Sequence, residues 1–183
     1  MPFNIFDEAK NGNFEYIKLK IHSINPLGFL TLKDLEQYPA VKNEIDRSLV
    51  AAVSKGHYYI VKFFLESRAD VHYDSDVAIQ EACRLGRKRC VELLLDYGAD
   101  IHVFQDQPLL LAAQNGHEEI VEILLKRGNF KRIAMTKCGS FGVDANINSM
   151  NSILIAFVVQ EKGHTEIAKC ILDHVLENRR RRY

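Results

Sequence analysis

Three stretches of the chain repeat one order of apolar and polar positions at a spacing of 30 residues. They align without gaps as residues 48–72, 78–102 and 108–130. In each stretch, a turn glycine follows an alanine by four residues and a larger apolar residue by seven. The glycines are Gly56, Gly86 and Gly116, the alanines are Ala52, Ala82 and Ala112, and the larger residues are Leu49, Ile79 and Leu109. This spacing predicts a helix that carries its apolar positions on one face and ends at the glycine.

A second helix is predicted after each glycine, because apolar pairs recur four positions apart. The pairs are Ile60-Val61 with Phe64-Leu65, Cys90-Val91 with Leu94-Leu95, and Ile120-Val121 with Leu124-Leu125. The second helix is predicted to end at a glycine in two stretches, Gly98 and Gly128. In the first stretch the equivalent residue is Arg68. One such helix pair cannot bury its apolar face alone, so the pattern predicts an array of stacked pairs.

Weaker copies flank the three clear ones. The N-terminal copy has Ile5, Ala9 and Gly12 in the expected order, with Lys20 in place of a core leucine. The C-terminal copy is built around Gly163. These outer glycines lie 44 and 47 residues from the nearest clear one, which predicts an insertion on each side. The first insertion should contain a short helix that begins at Thr31, with Leu32 and Leu35 packing down between Pro26 and Pro39.

We therefore expect an all-α fold, an α-solenoid of about five stacked helix-turn-helix units in a single domain, 1–183. Its parts are a capping repeat (1–24), an insertion (25–45), three central repeats (46–72, 73–102 and 103–130), a loop insertion (131–148), a second capping repeat (149–178) and a basic tail (179–183).

The tracts AAVSKGHYYIVKFFLESRADVH and AAQNGHEEIVEILLKRG resemble ankyrin repeats. That resemblance implies a protein–protein interaction module without catalysis. Two features depart from the family: RSLV, VAIQ and QPLL replace the usual Thr-Pro-Leu-His opening, and the period is 30 residues, not 33. The missing residues fall where a β-hairpin finger would be, so short or degenerate fingers are expected. This variant is similar to ankyrin proteins of giant, mimivirus-like DNA viruses of amoebae, which implies a viral protein acting on host proteins.

The composition of the chain does not point to nucleic acid or a membrane as a partner. Lys and Arg together number 24, as do Asp and Glu, so no general charge favours nucleic acid or an anionic membrane. The longest apolar run, 153–159, is far shorter than the roughly 20 residues of a membrane span. The N-terminus lacks the order of a secretory signal. We expect an intracellular, cytoplasmic protein, located in the host cytoplasm if it is viral.

The histidines and cysteines are the candidates for chemistry. Five histidines recur at two repeat positions, which favours structural hydrogen bonds over a metal or catalytic site: His57, His117 and His164 after the turn glycine, and His72 and His102 at repeat ends. Cys83, Cys90 and Cys170 occupy core positions, whereas Cys138 lies in a glycine-rich segment and is the one thiol expected to react. No hydrolase, phosphate-binding or zinc motif occurs. We expect no enzyme activity, cofactor, metal or small-molecule substrate.

In the resembling family, a partner binds the concave side, formed by the finger turns and the exposed positions of the first helices. Carried onto this chain, the two positions before each turn glycine and the finger turns give a set of predicted binding residues. They are Ser54, Lys55, Tyr73, Asp74, Ser75, Arg84, Leu85, Phe104, Gln105, Gln114, Asn115, Glu161 and Lys162. Tyr73, Leu85 and Phe104 either anchor an interface or fold over their own helices. The partner is an unknown protein, and the chain is expected to be a monomer.

The arginine run Arg179, Arg180, Arg181 and Arg182 has two interpretations. Cations suit the end of a helix, so the run is favoured as a solubilising helix end. The alternative is a nuclear import signal or an RNA-contacting tail. A further alternative gives the binding role to the two insertions.

Overall fold

A computed structural model of the protein describes residues 4–24, 39–128, 155–156, 160 and 163–180. The described residues form helices joined by tight turns, and none of them lies in a strand, which confirms the predicted all-α class. The helices are α1 (Ile5–Asn11), α2 (Phe14–Ile24), α3 (Pro39–Lys55), α4 (Tyr58–Glu66), α5 (Tyr73–Arg84), α6 (Lys88–Asp96), α7 (Val103–Gln114), α8 (Glu118–Arg127) and α9 (Thr165–Arg180). The chain divides into two compact units, Met1–Asp100 and Ile101–Tyr183.

The described residues of the first unit form three helix pairs. Within each pair the second helix packs against the first, as α2 does on α1, α4 on α3 and α6 on α5. The first helices also pack side by side, α1 on α3 and α3 on α5. Each pair thus covers the apolar face of its neighbour, as the repeat pattern predicted.

The predicted core positions of this unit are buried. Leu49, Ile79 and the two alanines that follow them are fully inaccessible to solvent. The second helices bury their predicted pairs with one difference, which is in α6. There Leu95 is half-buried, and Leu93 packs into the core beside the predicted Leu94.

The second unit contains the pair α7 and α8, and α9 packs on α8. Leu109 and Ala112 of α7 are buried, as their repeat positions predicted. Among the described side chains of α9, Ile167, Ala168 and Ile171 are buried, and Ile171 lies four and three positions after the other two, on the same helical face.

The same backbone hydrogen bond closes the turn in three repeats. The N–H of the residue after the glycine donates to the alanine carbonyl at 3.0 Å (His57 to Ala52), 2.9 Å (Arg87 to Ala82) and 2.9 Å (His117 to Ala112). The turn glycines all have φ between 70° and 89°, as the sequence required.

The ends of the second helices differ from one another. Gly98 and Arg68 both adopt the left-handed conformation that the prediction required, with φ of 90° and 68°. Gly128 does not: its φ of −69° and ψ of 120° are extended, so the chain leaves α8 without a left-handed cap.

Helix α3 begins at Pro39, seven residues before the predicted start of that repeat at residue 46. Proline at a helix start sacrifices no hydrogen bond, because the first N–H groups have no intrahelical partner. The predicted helix from Thr31, the insertion 131–148 and Cys138 lie outside the described residues.

Candidate partner-binding surface

A buried aspartate recurs on the first helix of each central repeat, within α3 and near the starts of α5 and α7. Asp46, Asp76 and Asp106 recur at the 30-residue spacing and are 1–6% exposed. The carboxylate of Asp46 accepts the Asp70 N–H at 2.7 Å, and that of Asp76 accepts the Asp100 N–H at 2.8 Å. Asp46 and Asp76 therefore each tie a first helix to the chain 24 residues later. Apolar positions alone do not mark these residues as buried, although their 30-residue spacing is visible in the sequence.

A basic residue four positions earlier accompanies each of these aspartates. Nδ1 of His72 lies 3.0 Å from Asp76, and Nδ1 of His102 lies 2.6 Å from Asp106. Lys42 takes the same position at 3.5 Å from Asp46. These contacts support the predicted structural role of the two repeat-ending histidines.

Opposing effects act on the Asp46 carboxyl. Its burial raises the pKa, while the Asp70 N–H and Lys42 lower it, and the net shift is upward.

The finger is a left-handed turn. In the first unit φ is 49° at Asp74, 57° at Ser75 and 57° at Asp76, and in the second unit it is 46° at Phe104 and 65° at Asp106. Residues other than glycine adopt this conformation at a cost of about 1–2 kcal/mol each, so buried hydrogen bonds must hold the turn. The shortened finger that the sequence predicted is therefore a compact turn.

The predicted binding residues of the first unit lie at opposite ends of the first helices. Tyr73, Asp74 and Ser75 form the start of α5, whereas Arg84 and Leu85 lie at its other end. Because α3 packs on α5, the pair Ser54-Lys55 at the end of α3 shares this second end.

At the turn end, the guanidinium of Arg84 is exposed and donates two hydrogen bonds to Glu81, at 3.0 and 2.6 Å. These bonds raise the pKa of Arg84. Leu85 is half-buried, Lys55 is exposed, and the Ser54 hydroxyl donates to its own helix at the Ala51 carbonyl. The turn end therefore presents cationic and apolar groups together.

At the finger end, the two predicted aromatic anchors differ. Tyr73 is half-buried, and its hydroxyl donates to the Asn43 side chain at 3.1 Å, so it folds over its own unit. Phe104 is 63% exposed, which suits an interface anchor. Asp74 and Ser75 are exposed.

The remaining predicted residues lie in the second unit. Gln114 is half-buried at the end of α7, and the exposed Asn115 donates its side-chain N–H to the Leu111 carbonyl at 2.8 Å. Gln105 lies in α7, but its side chain is outside the described part of the chain, as are Glu161 and Lys162. Arg179 and Arg180 lie in the last turn of α9 with side chains outside that part, and Arg181 and Arg182 follow it.

Solvent also reaches the face between the two ends of α3 and α5. Arg47 is exposed there and stacks its guanidinium 5.3 Å from the Phe6 ring, while Val77, at the same repeat position, is half-buried. Val50 and Gln80 form a second half-buried pair at one repeat position. These four positions were not among the predicted binding residues, although a position-by-position comparison of the repeats marks them as variable.

The residue after the turn glycine links neighbouring repeats in the first unit. Nε2 of His57 lies 3.2 Å from the Lys10 carbonyl, and Nε of Arg87 donates to the Ser54 carbonyl at 3.3 Å. The structural role predicted for His57 is therefore supported, and arginine can replace histidine at that position. Within the described residues, no group of three or more potential ligands is placed to hold a metal ion.

The three described cysteines are free thiols. Burial raises the pKa of Cys90 to about 11, and it raises that of Cys83 further. The pKa of Cys170 is also raised, first by burial and then by nearby carboxylates such as Glu122 and Asp173. A raised pKa lowers the thiolate fraction, so these thiols suit core packing.

Comparison with known proteins gives a match to the family described as ankyrin repeats (3 copies), over residues 49–137. The search of curated proteins found no match for the chain. The similarity to giant-virus proteins stays a prediction. In the part of the chain that the structure describes, no helix combines the length and apolar character that crossing a bilayer requires. Ankyrin repeats are typically non-catalytic interaction modules, and residues 49–137 match the model of that family.

Proposed function

We propose that the chain is an intracellular module that binds a partner protein through the exposed ends and faces of its first helices. One observation carries the proposal: framework positions repeat and are buried, whereas exposed positions at equivalent sites differ. Ala52 and Ala82 are identical and inaccessible, but the exposed or half-buried pairs Ser54/Arg84 and Lys55/Leu85 share no chemistry. The stacking of repeats constrains the buried framework positions, whereas the exposed positions are free to differ and can determine which partner binds.

The finger turn supports the same proposal. It holds several non-glycine residues in the left-handed conformation, and conformations of this kind cluster at ligand-binding sites. In the second unit, the side chain of Phe104 in this turn is exposed to solvent, and aromatic residues are enriched at interfaces.

The finer proposal is a viral protein that acts on host proteins in the host cytoplasm. It rests on the 30-residue style of the repeat. The alternative function, a nucleus- or RNA-associated protein, rests on the arginine run in the sequence.

Affinity capture with mass spectrometry tests the proposed binding surface. The wild-type chain and the triple variant Arg84→Ala, Leu85→Ala, Phe104→Ala are compared on lysate of the same host. The matched control is Lys18→Ala, Tyr97→Ala, which changes an exposed side chain on α2 and another directly after α6. We expect the triple variant to lose the specific partners by at least about tenfold, because interface energy concentrates in few side chains.

The control variant should retain the partners, and circular dichroism should show that all three proteins remain folded. Equal capture by the wild type and the triple variant would remove these residues from the binding surface. Loss of partners in the control alone would move the surface to the second helices.

A further inference from the structure

A cleft of about 360 Å³ opens on the first unit between the starts of α2 and α4. It lies at the turn end of the helix pairs, on the side of the second helices. Its walls are formed by the turn glycines and by six larger residues: Phe14, His57, Tyr58, Tyr59, Ile60 and Arg89. None of these six belongs to the predicted binding set, so the cleft is a separate surface and the inference goes beyond the proposed function.

The aromatic walls of the cleft are not needed by the core. Tyr59 is 68% exposed, while the core of α4 is filled by the next two residues, Ile60 and Val61. Tyr58 and Tyr59 meet edge to face with ring centroids 5.5 Å apart, which fixes both rings. On the other wall, Phe14 meets Phe63 in the same way at 5.5 Å.

The aromatic pair is particular to this repeat. The positions of Tyr58 and Tyr59 are occupied by Lys88 and Arg89 in the next repeat and by Glu118 and Glu119 in the one after. The repeat framework therefore sets no requirement for tyrosine, and an exposed aromatic pair at this position needs another explanation.

Arg89 places a cation at one end of the cleft. Its guanidinium lies 4.2 Å from the centroid of the Tyr58 ring, a cation–π distance. Stacking occupies the face of the planar group and leaves the N–H donors in its plane directed outward, the geometry that grips a carboxylate with two parallel hydrogen bonds. Across the described ranges, no acidic side chain lies within ion-pair distance of Arg89, and no acidic residue lines the cleft.

We propose that this cleft binds a short acidic peptide segment of a partner protein, with an apolar side chain between Phe14 and Tyr59 and a carboxylate on Arg89. Charge complementarity selects the occupant, because the one permanently charged group in the lining is a cation held rigid by its ring. A single-stranded nucleic acid fits less well, since such sites follow the backbone with a series of cations.

Fluorescence anisotropy on the full chain tests the cleft. The probe is a fluorescein-labelled pool of heptapeptides with three Asp or Glu residues on each side of a central Phe, Tyr, Leu or Trp. A second pool replaces every acidic residue by Lys, and a labelled ten-nucleotide poly-uridine RNA is the third probe. The variants are Arg89→Gln and Tyr59→Ala.

Two controls match these variants. Arg47→Gln removes another arginine that stacks on a ring in the same unit, and Tyr97→Ala removes another exposed tyrosine. We expect the acidic pool to bind and the lysine pool not to bind. Arg89→Gln should weaken binding about tenfold and Tyr59→Ala about fivefold, while both controls stay within twofold.

Three results would each overturn the proposal: no binding of the acidic pool at protein concentrations up to about 1 mM, equal weakening by Arg47→Gln, or tighter binding of the RNA that depends on Arg89. The variant at Arg84, Leu85 and Phe104 should bind the acidic pool normally. Failure of this inference is thus distinguishable from failure of the proposed function.

Discussion

At the residue scale, the buried carboxylates accept backbone hydrogen bonds, which apolar core residues cannot do. Asp46 and Asp76 are each buried, and each accepts an N–H from the end of the same repeat. A buried carboxylate is costly unless it is hydrogen-bonded, so these residues specify one arrangement of helix start and repeat end. The strained finger turn depends on that arrangement.

Replacing Asp76 by alanine should therefore lower the free energy of unfolding by about 2 kcal/mol, because it leaves the Asp100 N–H without its acceptor. The matched control is Asp74→Ala, an exposed residue in the same left-handed turn, which should change stability by no more than about 0.5 kcal/mol. Urea denaturation followed by circular dichroism measures both. Equal losses in the two variants would show that the turn, and not the buried carboxylate, carries the stability.

At the element scale, the helix pairs were predictable because each is specified locally. The alanine, the apolar residue three positions earlier and the turn glycine lie within eight residues, and their spacing matches the helical period. The start of α3 at Pro39 and the left-handed turn were not predictable in this way. The left-handed turn is held by contacts between distant residues, such as the Asp76 carboxylate with the Asp100 N–H.

A turn glycine can be required for two reasons: its positive φ, and its close approach to a side chain of the next repeat. Alanine substitutions at two glycines can distinguish these reasons. Gly12 and Gly98 have φ of 82° and 90°, so alanine at either position costs about 1 kcal/mol. At Gly12, however, the added methyl carbon would lie 2.8 Å from the His57 ring, whereas at Gly98 it would meet no atom within 4 Å. We expect Gly12→Ala to lose at least about 1 kcal/mol more than Gly98→Ala in urea denaturation.

The double variant Gly12→Ala, His57→Ala checks the cause of this difference. Removing the ring should make the Gly12 substitution cost about as much as the one at Gly98, at the expense of the His57 hydrogen bond to Lys10. If the extra cost persists without the ring, contact with His57 is not its source.

At the scale of the whole molecule, the sequence predicted the candidate surfaces less completely than the fold. The Arg84 end of α5 was predicted because repeat positions that differ in sequence mark surface, and Phe104 was predicted as a residue of the finger turn. The cleft beside Tyr59 was missed because its walls come from α2, α4 and α6, and only the packing of repeats shows which side chains meet. Tyr73 was ambiguous for a similar reason, since its partner Asn43 is 30 residues away.

The free thiols can report how each compact unit unfolds. Cys83 and Cys90 lie in α5 and α6 of the first unit, and Cys170 lies in the second. Because burial raises the pKa of Cys90 to about 11, its thiolate fraction at pH 8 is about a hundredth of that of an ordinary cysteine, and Cys83 should react still more slowly. We expect native alkylation by iodoacetamide to be fastest, among these three, at the half-buried Cys170.

Pulse labelling across a urea gradient, read by peptide mass spectrometry, extends this prediction to unfolding. Since α5 and α6 pack against each other within one unit, Cys83 and Cys90 should become reactive at the same urea concentration. Cys170 reports on the second unit independently, and Asp76→Ala should shift the midpoints of Cys83 and Cys90 to lower urea together. Separate midpoints for these two thiols would mean that α5 and α6 open one at a time, contrary to a cooperative helix pair.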